Sequence, residues 1–211
     1  MPDGLQTDDH LLTTVEALEA HYGTPLDRSI WKEQDHLTEH YRALVEASPF
    51  AILATAGPEG LDCSPRGDPT GFVSVLDPKT VAIPDRPGNN RVDSLKNIVR
   101  DPRIALLFLM PGIGYTMRIN GRARISIDPE LLEKFPVHGK LPRSVILVTV
   151  ESAYFQCPKA VVRAKLWEPD SRVDPDSLPT MGEMLAFYAP QPVDAEKFDR
   201  DYPEHMKKVM Y

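Results

Sequence analysis

The sequence predicts an α+β domain, mainly β, in which six or so short antiparallel strands form a barrel and short helices lie in their connections. Short apolar runs bounded by Gly, Pro and Asp follow one another closely between residues 50 and 151. Helical periodicity, in contrast, is confined to the two ends of the chain and to the connections. Prolines (21 in 211 residues) are scattered, which indicates many turns rather than a disordered tract.

Two helices are predicted before the first strand, over residues 11–21 and 35–48. In the second, Leu37, Tyr41, Leu44 and Val45 share one face, Asp35 is in place to cap the start, and Pro49 ends the helix. These residues form an N-terminal helical extension, which we place at residues 1–48.

The barrel itself is expected at residues 49–168. Apolar runs predict strands at 50–56, 61–64, 72–76, 80–83, 104–110, 115–127 and 144–151. The segment 115–127 is a strand pair or one bent strand, because Gly121 near its middle is typical of a bulge. Short helices are predicted at 92–100 and 129–135. Residues 169–211 are expected to form a loop and a helix (181–188) packed on the same domain.

Composition excludes several classes of function. The net charge of −7 argues against general nucleic-acid binding, which requires a basic face. The first ten residues are acidic and polar, and no run approaches the roughly 20 apolar residues of a membrane span. The two cysteines do not form the pattern of a secreted disulfide framework. We therefore expect a cytoplasmic protein that has neither nucleic acid nor membrane as a partner.

The most informative segment runs from Ile83 to Arg91, from the end of a predicted strand through a glycine-containing turn to a helix start. Backbone N–H groups and the helix dipole converge at such a turn, and Arg86 and Arg91 add positive charge. Asn89 and Asn90 add neutral donors, and Asn90 is a candidate N-cap. This combination suits a phosphate dianion. An ordinary capped helix with solvated arginines explains the same residues about equally well.

Two further basic sets lie nearby in sequence. Arg66 follows a proline and precedes Gly67, so extended backbone could bring it close to a ligand. If its strand lies beside residues 80–83, Arg66 could reach the same anion as Arg91; alternatively, it pairs with Asp68 across a turn. Arg118 shares one strand face with two other arginines, which a polar barrel exterior explains equally well.

Taken in order, these segments resemble the FMN-binding split-barrel family typified by pyridoxamine 5′-phosphate oxidase, and within it a bacterial branch of FMN-dependent enzymes. The resemblance spans about residues 50–167. The matching segments are Asp62–Pro69, Gly71–Val73, Ile83–Arg91 with Asp93–Leu95 and Asn97, Ala105–Gly112, Arg118–Ala123, Cys157–Ala160 and Leu166–Trp167. It implies a six-stranded antiparallel split barrel and a homodimer with two FMN sites at the subunit interface.

The resemblance also implies which residues hold the cofactor. In the oxidases a Gly-Ser-Arg-Lys run grips the FMN phosphate, and Gly88–Arg91 falls in its place here. The backbone of Ile83 and Pro84 is expected along the edge of the flavin ring, and the segment around Lys159 and Trp167 is expected from the second subunit. The complete set of expected FMN contacts is Ser64, Arg66, Gly67, Ile83, Pro84, Arg86, Asn89, Asn90, Arg91, Arg118, Lys159 and Trp167.

One departure limits the functional conclusion. The oxidases end in an Arg-x-His motif that binds pyridoxal phosphate, and this motif is absent here, so that activity is not expected. Two hypotheses remain: a flavin-dependent oxidoreductase acting on a small molecule, with a nicotinamide or oxygen as its redox partner, and a non-catalytic FMN carrier or sensor. A deazaflavin or haem in place of FMN is a less favoured alternative.

A zinc site is also considered and set aside. His36 and His40 flank a glutamate at the spacing of an inverted zinc-peptidase pattern. No other histidine cluster offers a third ligand, so a solvated helix face is the favoured interpretation and no metal is expected.

Overall fold

A computed structural model describes residues 10–211, so residues 1–9 of the predicted N-terminal extension lie outside the described part. Residues up to Glu33 form one compact unit and Gln34–Tyr211 form a second. The first unit contains the helices α1 (Val15–Tyr22) and α2 (Asp27–Ile30). Thr14 caps α1 by accepting a hydrogen bond from the backbone of Ala17.

The second unit is built on one antiparallel sheet of seven strands. Its strands are β1 (Phe50–Gly57), β2 (Gly60–Gly67), β3 (Ser74–Asp77), β4 (Thr80–Asp85), β5 (Arg103–Leu109), β6 (Thr116–Ser126) and β7 (Ser144–Gln156). The order across the sheet is β2-β1-β5-β6-β7-β4-β3. The structure thus has seven strands where a six-stranded barrel was predicted, and residues 116–126 form one bent strand, not a strand pair.

The main core of this unit lies on one face of the curved sheet, and a smaller cluster of Ala82, Leu131, Phe135 and Val145 is separate from it. Alternate residues are buried along the strands, as in β5, where Ile104, Leu106 and Phe108 are buried and their neighbours are partly exposed. Helix α3 (Glu39–Ala47) adds Tyr41 and Val45 to the same cluster. Its N-cap is Thr38, not the predicted Asp35, because the Thr38 hydroxyl accepts a hydrogen bond from the backbone of Tyr41.

The bend predicted at Gly121 is confirmed. The pairing of β6 with β7 shifts register between Asn120 and Gly121. A side chain at Gly121 would place its Cβ only 2.0 Å from the carbonyl oxygen of Thr149. Glycine is therefore required for the close approach of the two strands.

Helix α4 (Asp93–Arg100) follows the turn that contains Arg86 and Arg91, which we call the arginine-rich turn, and it packs on β1. It begins differently from the prediction, because Asn90 is not its N-cap. Val92 occupies the cap position with a φ of 52°, and no side chain caps the helix. Asn90 also has a positive φ, of 60°, and its side chain contacts a distant arginine instead.

The remaining helices are α5 (Pro129–Leu132), α6 (Lys159–Arg163), α7 (Met181–Tyr188) and α8 (Ala195–Val209). Helices α2, α6 and α8 were not predicted. Residues 170–179, predicted as a loop, contain two single 3₁₀ turns. Helix α7 packs against α8, where a Cβ at Gly182 would lie 2.3 Å from the carbonyl oxygen of Ala195. Among residues 10–211, no helix combines the length and the apolar character that crossing a bilayer demands.

Candidate functional site

A small polar cavity of about 140 Å³ lies where the ends of β2 and β4 meet the turn before α4. Three arginines from different parts of the chain line it: Arg66 from β2, Arg86 just after β4, and Arg143 just before β7. The remaining lining residues are Asp85, Pro87, Gly88, Asn89, Asn90, Val92 and Leu95. Of the twelve predicted site residues, Arg66, Arg86, Asn89 and Asn90 thus come together here.

Two ion pairs connect the end of β2 with the end of β4 at this cavity. Arg66 donates from Nη1 to Asp85 Oδ1 at 2.5 Å. Arg86 donates from Nε to Asp68 Oδ2 at 2.7 Å. The alternative that Arg66 pairs with Asp68 across its own turn is therefore wrong. The pairs are well shielded from solvent, since the side chains of Arg66, Asp85, Arg86 and Asp68 are 18%, 12%, 14% and 2% exposed.

Further contacts fix the position of Arg86. Its Nη1 donates to the carbonyl oxygen of Phe135 at 2.8 Å. The second oxygen of Asp68, Oδ1, accepts a hydrogen bond from the hydroxyl of Tyr211 at 2.7 Å. The guanidinium of Arg86 also lies 6.0 Å from the centre of the Tyr211 ring. The hydrogen bond from the Tyr211 hydroxyl to Asp68 is the main reason that the pKa of Tyr211 is raised above its usual value.

The turn itself is organised by its two asparagines. Asn89 Oδ1 accepts a hydrogen bond from the backbone N–H of Arg91, and Asn90 Oδ1 accepts one from Arg143 Nη1 at 2.8 Å. The side chain of Arg91 is 77% exposed and pairs with Asp93, whose pKa that contact lowers. Arg91 does not line the cavity. Arg143, rather than Arg91, is the third arginine of the site.

The donor set fits an anion of the size of a phosphate group. Arg66 Nε is buried and, among residues 10–211, has no hydrogen-bond partner, which is costly unless a ligand accepts from it. Gly88 faces open space, so its backbone can be approached closely. The three guanidiniums of the cavity, together with Asp85 and Asp68, which pair with two of them, leave one net positive charge beside the start of α4. Complete small-molecule sites span about 300–1,000 Å³, so this cavity suits only the charged end of a cofactor such as FMN.

A buried hydrogen-bond chain holds α4 against β2. The Ser94 hydroxyl donates to Asp62 Oδ2 at 2.5 Å and lies 2.9 Å from the Ser64 hydroxyl. Ser94 is only 3% exposed. Ser64, a predicted cofactor contact, is therefore engaged with the first turn of the helix and does not line the cavity.

Two predicted residues lie on β4 and one at the end of β2. Ile83 is completely buried within the core cluster, and Pro84 is also buried. Neither residue lines the small cavity or its larger neighbour, and Pro84 has no N–H to donate. Gly67 lines a neighbouring, larger cavity of about 800 Å³, which shares Arg86–Asn89 and Arg143 with the small one and is otherwise bounded by residues 202–211.

The other three predicted residues lie elsewhere in this subunit. Arg118 pairs with Tyr154 on β7, whereas Pro84 pairs with Val145. On its other side, Arg118 pairs with Leu107 of β5. Lys159 begins α6 beyond the end of β7, and Trp167 donates to the carbonyl oxygen of Ile113. None of these three residues lines the small cavity.

Sequence reasoning missed Arg143 and the pairing roles of Asp68, Asp85 and Tyr211. The signal for Arg143 lies in strand register, because the antiparallel pairing of β4 with β7 sets Ser144 opposite Asp85. No local pattern marks Tyr211. Within residues 10–211, no group of three or more metal-ligating side chains is present, and His36 contacts Asp35 at 2.8 Å.

These features define a class: a mainly antiparallel α+β barrel domain with a shielded, arginine-lined anion cavity at a strand-to-helix turn. The sequence profile of the pyridoxamine 5′-phosphate oxidase family matches residues 37–157, more than half of the chain. The chain belongs to this family, whose members bind flavins. No significant match is found among curated proteins.

Solved structures of similar fold show low sequence identity. HupZ of Group A Streptococcus is 18% identical, with 57% of this chain and 94% of that chain covered and a TM-score of 0.47. The conserved protein Rv2991 of Mycobacterium tuberculosis is 18% identical, covering 68% and 97%, with a TM-score of 0.43. A pyridoxinephosphate oxidase family protein of Clostridium acetobutylicum, related to general stress protein 26, is 16% identical, covering 56% and 86%, with a TM-score of 0.40.

Proposed function

We propose that this protein is an FMN-dependent oxidoreductase that acts on a small molecule. The observation that carries the proposal is Arg66 Nε, a buried donor without a partner among residues 10–211, at an arginine-lined cavity of phosphate size. Such a donor is satisfied when an anion accepts from it. In a family whose members bind flavins, the phosphate of FMN is the anion of matching size and charge.

The residues of the cavity would act on the phosphate end of the cofactor. Arg66 and Arg143 would donate to phosphate oxygens, and Asn89 and the backbone at Gly88 would supply neutral donors. Arg86 would contribute charge from a position fixed by Asp68. The backbone of Ile83 and Pro84 would border the flavin ring. FMN, when bound, supplies the hydride and electron transfer, and the protein binds and orients it.

The distribution of the predicted residues supports a dimeric arrangement. Arg118, Lys159 and Trp167 do not line the small cavity of their own subunit. In a symmetric homodimer, the same residues of the second subunit could complete the site. We propose that each FMN lies at the interface, with its phosphate held by one subunit and its ring contacted by the other.

The first experiment is a visible absorption spectrum of the freshly purified protein, with mass analysis of the material that heat releases. Flavin bands and the mass of FMN, at about one per subunit, would support the proposal. A colourless protein that takes up no added FMN would contradict it, and the mass of a deazaflavin would reassign the cofactor.

Turnover is tested separately on the FMN-loaded protein. Reduction of the bound flavin by NADH or NADPH under anaerobic conditions, followed by reoxidation in air, is the result expected of an oxidoreductase. If the flavin binds but no nicotinamide or other donor reduces it, the protein is a non-catalytic FMN carrier or sensor.

A further inference from the structure

Tyr211 lies far from the arginine-rich turn in sequence but contacts it in the structure. Its hydroxyl donates to Asp68 Oδ1 at 2.7 Å, and Asp68 Oδ2 accepts from Arg86 Nε at 2.7 Å. Two further bonds involve the segment of residues 135–140: Arg86 donates to the carbonyl oxygen of Phe135, and Lys140 donates to that of Tyr211. The segments around residues 68, 86, 135–140 and 211 are thereby joined. The segment after α8 is thus tied to the cavity wall.

The burial of Asp68 gives this chain of bonds its importance. The Asp68 side chain is 2% exposed, and a carboxylate in such a position needs a donor on each oxygen. Arg86 serves one oxygen and Tyr211 the other. Without the Tyr211 hydroxyl, Asp68 would have to turn toward another donor, and Arg86 is the charged donor within reach.

Arg86 has little freedom to compensate. Nε and Nη1 are both committed, to Asp68 and Phe135, so the orientation of the remaining nitrogen, Nη2, follows from those two bonds. The guanidinium lines both the 140 Å³ cavity and its larger neighbour. A rotation of Asp68 would therefore change where Arg86 presents its free N–H groups.

We propose that Tyr211 is a positioning residue of the cofactor site, which acts through Asp68 to orient Arg86 toward the phosphate of FMN. This inference rests on the proposed function. Tyr211 does not itself line the 140 Å³ cavity, although it lines the larger neighbouring one. The hydrogen bond to Asp68 raises the pKa of Tyr211 and so favours the protonated hydroxyl that donates it.

The test compares FMN with riboflavin, which lacks the phosphate. Tyr211→Phe removes only the hydroxyl and keeps the ring beside Arg86. We expect the Kd for FMN to rise about tenfold, the equivalent of one hydrogen bond to a charged group, and the Kd for riboflavin to change less than about twofold. Asp68→Asn should shift the same ratio, because an amide holds Arg86 more weakly.

The matched control is Tyr188→Phe, whose hydroxyl lies on a side chain that is 79% exposed. It should leave both dissociation constants unchanged. If Tyr211→Phe leaves the FMN-to-riboflavin ratio unaltered, or weakens both ligands equally, Tyr211 has no positioning role, although the proposed function stands. If the unmodified protein binds no FMN, the proposed function fails and this inference fails with it.

Discussion

Arg66, near the end of β2, donates to Asp85, the last residue of β4, at 2.5 Å, although β1, β5, β6 and β7 stand between these strands in the sheet. The contact is possible because the sheet curves until its two sides approach. The ion pair thus joins the two sides of the barrel at the small arginine-lined cavity. One residue, Arg66, takes part in both the closure of the fold and the proposed binding of FMN.

Replacing Arg66 should therefore affect stability and binding together. Arg66→Met leaves Asp85 buried without its partner, and we expect a loss of about 3 kcal/mol in the free energy of unfolding of the apo-protein. The Kd for FMN should rise by about tenfold to a hundredfold, with the Kd for riboflavin nearly unchanged. Urea unfolding and fluorescence titration measure the two effects. Arg124→Met, an exposed arginine on β6, is the control, and equal effects of the two variants would contradict the assignment.

Replacing Arg143 should weaken FMN binding with little effect on the free energy of unfolding. It is exposed and holds Asn90 through a single hydrogen bond, so Arg143→Met should change the free energy of unfolding by less than about 1 kcal/mol. The Kd for FMN should rise about fivefold to tenfold, and the difference from the unmodified protein should shrink in high salt. An unchanged FMN affinity at low ionic strength would remove Arg143 from the site.

The features of the fold and of the cavity that were predicted correctly are determined by residues close together in the sequence. The apolar runs located all seven strand segments, Gly121 marked the bulge, and the turn at Ile83–Arg91 identified three residues of the cavity. Contacts between segments that are far apart in the sequence could not be predicted from local sequence patterns. The cap prediction at Asn90 was wrong because Arg143, 53 residues away, engages its side chain. Helix α8 was missed because it has a polar composition and contains Pro203.

Gly121 provides a direct test of the bulge. In Gly121→Ala, the new Cβ would lie 2.0 Å from the Thr149 carbonyl oxygen, so β6 and β7 would have to separate. We expect a loss of about 3 kcal/mol or more in the free energy of unfolding, measured by urea titration. Gly88→Ala is the matched control, because its Cβ meets no atom within 4 Å, and it should be neutral within about 0.5 kcal/mol. A Gly121→Ala protein as stable as the control would show that the strands are not in close contact.

The ion pair of Asp101 and Arg103, between α4 and β5, predicts a dependence of stability on acid. Hydrogen bonds from Arg103 lower the pKa of Asp101 to about 2. Because a depressed pKa favours the folded state only while the carboxylate is charged, this contribution is present above pH ~4 and is lost as the pH falls toward about 2. The melting temperature of the unmodified protein should thus fall more steeply than that of Asp101→Asn between these pH values. Asp170→Asn, on an exposed turn, should follow the unmodified protein, and parallel curves for all three would refute the role of the pair.

The proposed interface site predicts complementation between two defective subunits. Arg66→Met disables the phosphate side of a site, and Trp167→Ala disables the side expected from the second subunit. In a mixed dimer, one site carries both defects, and the other combines two intact sides.

Co-refolding equal amounts of the two variants should therefore restore roughly a quarter of the high-affinity FMN sites, because about half of the dimers are mixed and each has one intact site. Sites built within a single subunit would show no such recovery. Stoichiometric titration with FMN distinguishes the two arrangements, and each variant refolded alone gives the baseline. Recovery of binding would mean that the arginine-lined cavity of one subunit and Trp167 of the other meet across the interface, whereas its absence would leave Trp167 outside the cofactor site.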